Sequence, residues 1–450
     1  MARVVLPTQL ASRIAARDAV EAPGATAGEV LRRLERDHPP LAGYVLDERG
    51  RLRPHVHVFL GSGRVDLAAP VAPADELTVV TAISGGSGGG LATDAGAVEL
   101  LVGTRKGLCV VRGERGGPFE VAGRAFAGDV VEYARRDPRT GRVFASVTNP
   151  FFGPRVHFTD GDPLGEWRVA EGLAFPEDAG AAVDRVWAVE PGAEPGRLWA
   201  GVAPAALFTS RDDGETWELV RPLWEVPSRP KWEGGAGGLC LHSICPWPGE
   251  PGKLAVGISA AGVWRTEDGG ESWQWGVEGL VPRYVPEEAR GTTTSFCVHK
   301  LRRAPLRPER VWMQFHGGVY RSDDAGATWR SIAEGLPSDF GFPLAADPRD
   351  PDRAWVIPLV ADVDRVTPEG RVRVYETRDG GASWQPRGEG LPQRDAYLTV
   401  LRQAFEHDGR DPLGLYFGAE SGDLFASADA GSTWTVAAER LPAILSVTVG

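Results

Sequence analysis

The chain has 450 residues, with 49 Lys or Arg against 61 Asp or Glu, so its formal net charge is −12. This acidic balance argues against nonspecific nucleic-acid binding, which requires a surplus of positive charge. Four cysteines in a chain of this length do not indicate a secreted disulfide framework. The sequence shows no signal peptide and no apolar run long enough to cross a bilayer, so we expect a soluble cytoplasmic protein without a membrane partner.

The first 86 residues predict a small α+β unit. Residues 2–6 form an apolar strand, and Thr26 with Glu29 forms a capping box before an amphipathic helix over residues 30–37. Two further strands are predicted at residues 56–60 and 77–83. The pattern then ends in Ser84, Gly85 and Gly86.

Three pieces of this region carry a family resemblance. They are the run His55-Val-His-Val-Phe-Leu60, the entry Asp75-Glu76-Leu77 to the last strand, and the tail Ile83-Ser-Gly-Gly86. With these pieces, residues 1–86 resemble the ubiquitin-like, β-grasp sulfur carriers of the MoaD/ThiS family, although Gly61-Ser62 replaces the family's Asn. The resemblance implies that a partner enzyme adenylates the terminal carboxylate of Gly86. The carboxylate then becomes a thiocarboxylate that donates sulfur, and Gly85 with Gly86 forms a tail narrow enough to enter the partner's active site.

Gly86 is not the end of this chain, because a Gly/Ser-rich linker at residues 87–96 follows it. A peptide carbonyl cannot be adenylated, so sulfur transfer would require a processing protease to cut after Gly86. Three alternatives stay open: a natural fusion that is cut, an uncut carrier-like adaptor, and an engineered linker between two proteins.

An eight-residue box ending in Trp recurs five times in the second half of the chain, with a period of about 55 residues. Its central Asp and Gly are typical of a tight turn between two strands, and the apolar runs around it predict four short strands for each unit. The five boxes are Ser210–Trp217, Thr266–Trp273, Ser322–Trp329, Thr377–Trp384 and Ser427–Trp434.

Two earlier units complete the repeat. A degenerate box with Thr159 and Trp167 marks one unit, and the strand pair at residues 99–103 and 108–111 marks another. The last strand, at residues 443–449, has no successor, so we expect it to join the first unit and remove its open edge. Residues 97–450 therefore predict an all-β propeller of seven blades, closed by the C-terminal strand.

The boxes resemble the Asp-box (BNR) motif of sialidase-like, sortilin-like and xyloglucanase-like propellers. In those families the box is usually structural, and the resemblance implies the same role for the box Asp and Trp residues here. These residues are Asp212, Asp268, Asp324, Asp379, Asp429, Trp217, Trp273, Trp329, Trp384 and Trp434.

Glycosidase activity has weak support in the sequence. The Arg-Ile-Pro tripeptide that is typical of sialidases does not occur. A pair of catalytic carboxylates on loops that face the channel stays possible, with Glu132, Asp184 and Asp362 as candidates.

Two aligned segments, each with a Cys-x-His pattern, favour a ligand site in the propeller. Cys240 with His242 and Cys297 with His299 are predicted on the innermost strands of adjacent blades, and His316 lies in a turn that could approach the same channel mouth. Imidazole and thiolate ligands suit zinc, copper or iron. The alternative is a set of partly buried polar side chains bonded to backbone. The Gly-rich run at residues 233–238 precedes the first pair, and Trp232 is the predicted wall of this quadrant.

Our leading hypothesis is a sulfur carrier whose propeller serves as a docking or ligand-binding platform for an unknown substrate or protein. Its predicted partners are an activating enzyme and a processing protease. The alternatives are a metal- or ligand-dependent propeller and, third, a glycoside hydrolase.

Overall fold

The computed structural model describes residues 2–6, 14, 19–41, 45–46, 50–52, 56–60, 63–73, 75–81, 96–235 and 237–450. The chain divides into two compact units, Met1–Ala92 and Thr93–Gly450, each with its own core. No described helix combines the length and the hydropathy needed to span a bilayer.

The described part of the N-terminal unit contains one five-stranded sheet in the order β2-β1-β5-β3-β4. Strand β5 is central, parallel to β1 and antiparallel to β3. The helix is α1, Ala27–Asp37. The strands are β1 (Ala2–Val5), β2 (Ala19–Ala22), β3 (Val56–Leu60), β4 (Gly63–Val65) and β5 (Glu76–Thr81).

The predicted capping box of α1 is confirmed. The Thr26 hydroxyl accepts a hydrogen bond from the Glu29 amide at 3.3 Å, and the Glu29 carboxylate accepts one from the Ala25 amide at 2.8 Å. The first bond satisfies an amide that the helix itself leaves without a partner, and the second ties the Glu29 carboxylate to the residue before the cap. The helix begins at Ala27, one residue after the cap, so it is three residues longer than the predicted segment.

The predicted propeller is confirmed. Within residues 96–235 and 237–450, the strands form seven four-stranded sheets, each antiparallel throughout. One α-helical turn, α2 (Arg221–Trp224), and five 3-10 turns lie between the described strands. The strands are β6 (Ala97–Thr104), β7 (Gly107–Glu114), β8 (Phe119–Ala125), β9 (Val130–Arg136), β10 (Val143–Asn149), β11 (Gly153–Thr159), β12 (Arg168–Val169), β13 (Arg185–Pro191), β14 (Leu198–Ala203), β15 (Ala206–Ser210), β16 (Glu218–Leu219), β17 (Cys240–Trp247), β18 (Glu250–Ser259), β19 (Gly262–Thr266), β20 (Gln274–Trp275), β21 (Val298–Arg303), β22 (Val311–Phe315), β23 (Gly318–Ser322), β24 (Arg330–Ser331), β25 (Gly341–Ala346), β26 (Ala354–Pro358), β27 (Val374–Thr377), β28 (Gln385–Arg387), β29 (Phe405–His407), β30 (Leu415–Gly418), β31 (Leu424–Ser427), β32 (Thr435–Ala438) and β33 (Ile444–Val449).

The C-terminal strand closes the ring. Strand β33 pairs antiparallel with β6, from Ile444 opposite Thr104 to Val449 opposite Leu100. It thereby becomes the innermost strand of the sheet that β6, β7 and β8 form. The first and last parts of the propeller are held in one sheet, which leaves no open edge between them.

Each box is a hydrogen-bonded turn between the third and fourth strands of its blade. In the first box, the Ser210 hydroxyl donates to Asp212 at 2.7 Å and accepts from the Gly214 amide at 2.9 Å. Asp212 accepts from the amide and the hydroxyl of Thr216 at 2.9 and 2.6 Å. The Trp217 indole donates to the Gly214 carbonyl at 3.0 Å.

The other four boxes repeat the two hydroxyl–carboxylate bonds. In every box the residue after the Asp has a left-handed backbone, with φ between 56° at Asp213 and 77° at Gly269. Such a backbone suits Gly, and it is stabilised here by the Asp side chain that bonds the turn. The box carboxylates are thus occupied by their own turns.

Candidate functional site at one end of the propeller channel

The innermost strands of the propeller share a bulge. In the described part of the propeller, six of them skip pairing within their first three residues. The bulged residues are Glu132, Trp187, His242, His299, the pair Phe342-Pro343, and Leu445. A bulge turns a side chain out of the regular alternation and often lies next to a functional site. We call the end of the channel at which the innermost strands begin the upper end.

Three of the predicted ligand residues meet at the upper end. One ligand atom each from Cys297, His299 and His316 lies within 4.8 Å of the other two. All three residues belong to one blade: Cys297 directly precedes β21, His299 is its second residue, and His316 lies in the hairpin between β22 and β23. Because β21 and β22 are antiparallel, the start of one strand and the end of the other reach the same end of the blade.

The surroundings of the three residues fix their orientation. His299 Nδ1 lies 2.6 Å from the carbonyl oxygen of Gly341, which can only accept, so Nδ1 carries the proton and Nε2 the lone pair. The Cys297 thiol lies 3.0 Å from the Ser259 hydroxyl. His316 packs against the Tyr284 ring with centroids 4.1 Å apart, and its Nε2 lies 3.6 Å from Asp362.

Burial sets the protonation of these groups. It lowers the pKa of His299 well below its ordinary value and also lowers the pKa of His316, against the opposing effect of Asp362. Burial raises the pKa of the Cys297 thiol. At neutral pH both imidazoles are therefore neutral, which is the form that binds metals, and the thiol must lose a proton to become a ligand.

Cys240 and His242 lie outside this group of three. Both ring nitrogens of His242 face other polar atoms: Nε2 donates to the Val298 carbonyl at 2.8 Å, and Nδ1 lies 3.0 Å from the Ser243 hydroxyl. Cys240 is fully buried, and burial raises its thiol pKa to about 12. Trp232, the predicted wall, packs on the Trp264 ring at 5.5 Å.

Arg402 is a residue of the upper end that sequence reasoning missed. Its guanidinium carbon lies 4.8 Å from the centre of the Phe342 ring and 5.7 Å from that of Trp187. The Phe342 ring also packs on His299, with centroids 4.8 Å apart. Arg402 lies just before β29, the innermost strand of the blade β29–β32, much as Cys297 precedes β21. An alignment of the repeat units on these segments is the signal that could have found it.

A polar plug divides the channel below this end. The Gln403 amide nitrogen donates to the carbonyls of His242 and Trp187 at 2.7 and 3.4 Å, while its oxygen accepts a bond from the Lys300 ammonium. These residues come from four different blades. Lys300 is fully buried, and burial lowers its pKa well below the ordinary value for lysine.

The lower end of the channel holds a cavity of about 360 Å³ with paired charges. Arg135 lies 2.9 Å from Glu190, and Arg302 lies 2.9 Å from Glu406. Although burial acts in the opposite direction, the charge of Arg302 and of neighbouring cations lowers the pKa of Glu406 to about 2.

The three carboxylates considered for glycosidase activity have different surroundings. Glu132 is the bulged residue of β9, and its carboxylate lies 3.1 Å from Arg185. Burial raises the pKa of Glu132. Asp184 is exposed, and half-exposed Asp362 faces His316. Gly85 and Gly86 lie outside the described residues.

No family model matches the chain. An oligoxyloglucan-reducing end-specific xyloglucanase from Emericella nidulans is 23% identical over 220 residues, which cover 42% of this chain and 25% of that enzyme. A probable enzyme of the same description from Neosartorya fischeri is 24% identical over 219 residues, again 25% of its length. The chain thus spans about a quarter of the curated relatives it matches.

Solved structures match the two units separately. SAMP1 from Haloferax volcanii is 31% identical and covers 19% of this chain and 98% of its own, with a TM-score of 0.18. An ancestral GH74 enzyme covers 73% of this chain and 37% of its own at 16% identity and a TM-score of 0.46. YCF48 from Cyanidioschyzon merolae covers 68% and 85% at 13% identity and a TM-score of 0.47. Sulfur carriers of the MoaD/ThiS type are therefore the structural neighbours of the N-terminal fifth, and propeller proteins those of the remainder.

Proposed function

We propose that the N-terminal unit is a sulfur carrier whose reacting group is the carboxylate of Gly86. The observation that carries this proposal is the place of β5 in the sheet. It is the central strand, it runs parallel to β1, and it ends at Thr81, five residues before Gly86. A tail that leaves from a central strand and ends in two glycines is suited to enter a narrow active site in an extended form.

The chemistry requires a protease, an activating enzyme and a sulfur donor. A protease hydrolyses the bond between Gly86 and Ser87, which frees the Gly86 carboxylate. An activating enzyme then joins this carboxylate to AMP from ATP with release of pyrophosphate. A sulfur donor finally displaces AMP and leaves a thiocarboxylate. Adenylation is needed because a carboxylate oxygen is a poor leaving group, whereas AMP leaves readily.

Intact mass spectrometry of the protein from its host tests this proposal. We expect a fragment that ends at Gly86, part of which carries one sulfur in place of one oxygen. A Gly86→Pro variant of the full chain is the matched control, and we expect it to stay uncut. A single uncut species of 450 residues in the wild type would exclude sulfur transfer and leave the adaptor hypothesis.

We further infer that the propeller is a ligand-binding platform with a transition-metal centre made by Cys297, His299 and His316. The approach of their ligand atoms to within 4.8 Å is the observation that favours it. One thiolate and two imidazoles suit zinc, copper or iron, and a site with three protein ligands keeps a position for an external group. The Gly341 carbonyl would orient His299, as outer-shell acceptors do in metal sites.

Metal analysis of the full chain tests the centre. We expect about one equivalent of bound metal after loading and dialysis, and loss of that metal in Cys297→Ser and in His299→Ala. Cys240→Ser is the matched control, since Cys240 is an equally buried thiol outside the group of three. Equal metal content in wild type and Cys297→Ser would contradict the centre.

Glycoside hydrolysis is the remaining alternative, and the xyloglucanase match is what supports it. Buried Glu132 has a raised pKa, as a general acid requires. The test is release of sugars from xyloglucan oligosaccharides by the full chain, with Glu132→Gln as the control. Activity that Glu132→Gln abolishes would support this alternative, and absence of release would exclude it.

A further inference from the structure

The guanidinium of Arg402 is a buried cation without a partner among the residues that the structure describes. Arg402 is 9% exposed, and its Nε atom is buried and lacks a hydrogen bond. Among the residues that the structure describes, no carboxylate or carbonyl oxygen lies within bonding distance of this side chain. By contrast Arg310, which is 2% exposed, is paired with Asp323 and Asp352. A buried charge is normally paired, because its desolvation is costly otherwise.

Aromatic rings hold this cation in place. Arg402 lies over Phe342 at 4.8 Å and over Trp187 at 5.7 Å, so both rings limit its movement. Gly237 passes beside it, since a Cβ placed on Gly237 would lie 3.7 Å from Nη2. Burial removes the hydration that stabilises the charge of Arg402. The two rings replace only part of that stabilisation, and a negatively charged group from outside the chain would supply the rest.

Arg402 is also close to the proposed metal centre. Arg402 shares the Phe342 ring with His299, whose ring centroid lies 4.8 Å from that of Phe342. Its charge acts on the pKa of Cys297, against the larger effect of burial, and adds to the effect of burial on the pKa of His299. The shared Phe342 ring places the cation and His299 around one region of the upper end.

The other charges at the upper end leave this space positive. Arg365 also lies over the Phe342 ring, at 5.4 Å, while Asp362 faces His316 and Arg185 is paired with Glu132. A divalent metal with one thiolate and two neutral imidazoles keeps a positive charge. Together with Arg402 and Arg365, this charge outweighs the negative charge of Asp362.

We propose that the upper end of the channel binds a small carboxylate-type anion, a carboxylate or its thio analogue, between Arg402 and the metal held by Cys297, His299 and His316. This inference rests on the metal centre proposed above. The planar fork of a guanidinium matches the two acceptor atoms of a carboxylate. The flat rings of Trp187 and Phe342 on Arg402 favour a planar anion over a tetrahedral phosphate. A thiocarboxylate would in addition present a soft sulfur atom to the metal.

The test uses the full chain loaded with Co²⁺, whose visible absorption reports its coordination. Acetate and thioacetate are titrated separately, and acetamide serves as a neutral probe of the same shape. We expect a saturable spectral change with the two anions and none with acetamide. A tighter response to thioacetate than to acetate would assign the thio analogue as the preferred ligand, and the reverse order would assign the carboxylate.

Variants of Arg402 decide whether this side chain binds the anion. We expect Arg402→Gln to weaken acetate binding by roughly tenfold or more, and Arg402→Lys, which keeps the charge without the fork, to weaken it less. Arg197→Gln is the matched control. Arg197 is 6% exposed and lies over the Trp199 ring at 4.1 Å, but it belongs to another part of the propeller and reaches the Gly269 carbonyl.

The outcomes separate the two proposals. If Co²⁺ does not bind, the metal centre is wrong, and NMR line broadening of ¹³C-acetate with the metal-free chain then tests Arg402 alone. Broadening that Arg402→Gln removes would retain the anion site. If Co²⁺ binds and acetate affinity is the same in wild type and a folded Arg402→Gln or Arg402→Lys variant, the inference about Arg402 is overturned.

Discussion

The two ends of the propeller channel differ in how their charges are paired. At the lower end, Arg135 is matched by Glu190 and Arg302 by Glu406. At the upper end, Arg402 has no partner among the described residues, and the side chains of Cys297, His299 and His316 face one another. One strand, β21, serves both ends, with His299 near its start and Arg302 near its end. The charges of the lower end are paired within the protein, whereas that of Arg402 is available to the anion proposed above.

The largest effect is expected at the lower end. Glu406→Gln leaves Arg302 buried without its counter-charge, so we expect the free energy of unfolding to fall by about 3 to 5 kcal/mol. Arg402→Gln removes a charge that has no partner, and we expect a change of about 1 kcal/mol or less, from lost cation–π contacts. Urea unfolding followed by tryptophan fluorescence measures both. Equal losses of unfolding free energy in the two variants would contradict the difference in charge pairing between the two ends.

Metal binding should stabilise the upper end alone. With free zinc at one hundred times its dissociation constant, we expect the propeller to gain about 2.7 kcal/mol of stability. Thermal unfolding with and without zinc measures this gain. Cys297→Ser should lose it and Cys240→Ser should keep it, and a gain that survives Cys297→Ser would place the zinc elsewhere.

The plug between the two ends should be a smaller contributor. Gln403→Leu leaves the Lys300 ammonium and two backbone carbonyls without their partner, so we expect a loss of about 1 to 3 kcal/mol. Adding Lys300→Met removes the unsatisfied group and should restore part of that loss. Denaturant unfolding of the single and double variants measures the coupling. If the double variant loses as much unfolding free energy as the two single variants together, the contact between Gln403 and Lys300 is not what stabilises the plug.

The smallest effect concerns the acid sensitivity of a box turn, the one that contains Asp379. Hydrogen bonds from Ser383, against a smaller effect of burial, lower the pKa of Asp379 to about 2, below its unfolded value. The folded protein therefore binds this proton less readily than the unfolded chain, so the stabilisation is complete above about pH 4 and is lost as the pH falls toward 2. We expect Asp379→Asn to cost about 1 kcal/mol at pH 7. Its free energy of unfolding should also fall less steeply below pH 4, and an unchanged slope would contradict this account.

Much of the fold could be predicted from local patterns. The box turns are made by hydrogen bonds between residues two to four positions apart, such as Ser210 with Asp212 and Asp212 with Thr216, so the sequence carries all of their partners. The Thr26 cap is local in the same sense. The return of the last strand was predictable because β33 had no later strand to pair with, and an unpaired edge is costly.

The candidate site was predictable only in part. One of the two aligned Cys-x-His segments pointed to Cys297 and His299, and the position of a turn pointed to His316. The other segment pointed to Cys240 and His242, which lie outside the group of three. The difference arises because His242 bonds the Val298 carbonyl of the next blade, 56 positions away. Arg402 escaped prediction because the rings that hold it belong to Trp187 and Phe342, which are distant from it in the chain.

The sequence by itself determined what short-range chemistry decides: the number of blades, the turns between their strands, the capped helix and the two glycines that end the carrier-like unit. Closure of the ring decided which side chains meet in the channel. It brought Gln403 to the carbonyls of two other blades and left Arg402, which shares the Phe342 ring with His299, without a counter-charge among the described residues. These contacts join residues tens to hundreds of positions apart, so they depend on how the blades are arranged around the axis, which no local pattern of residues encodes.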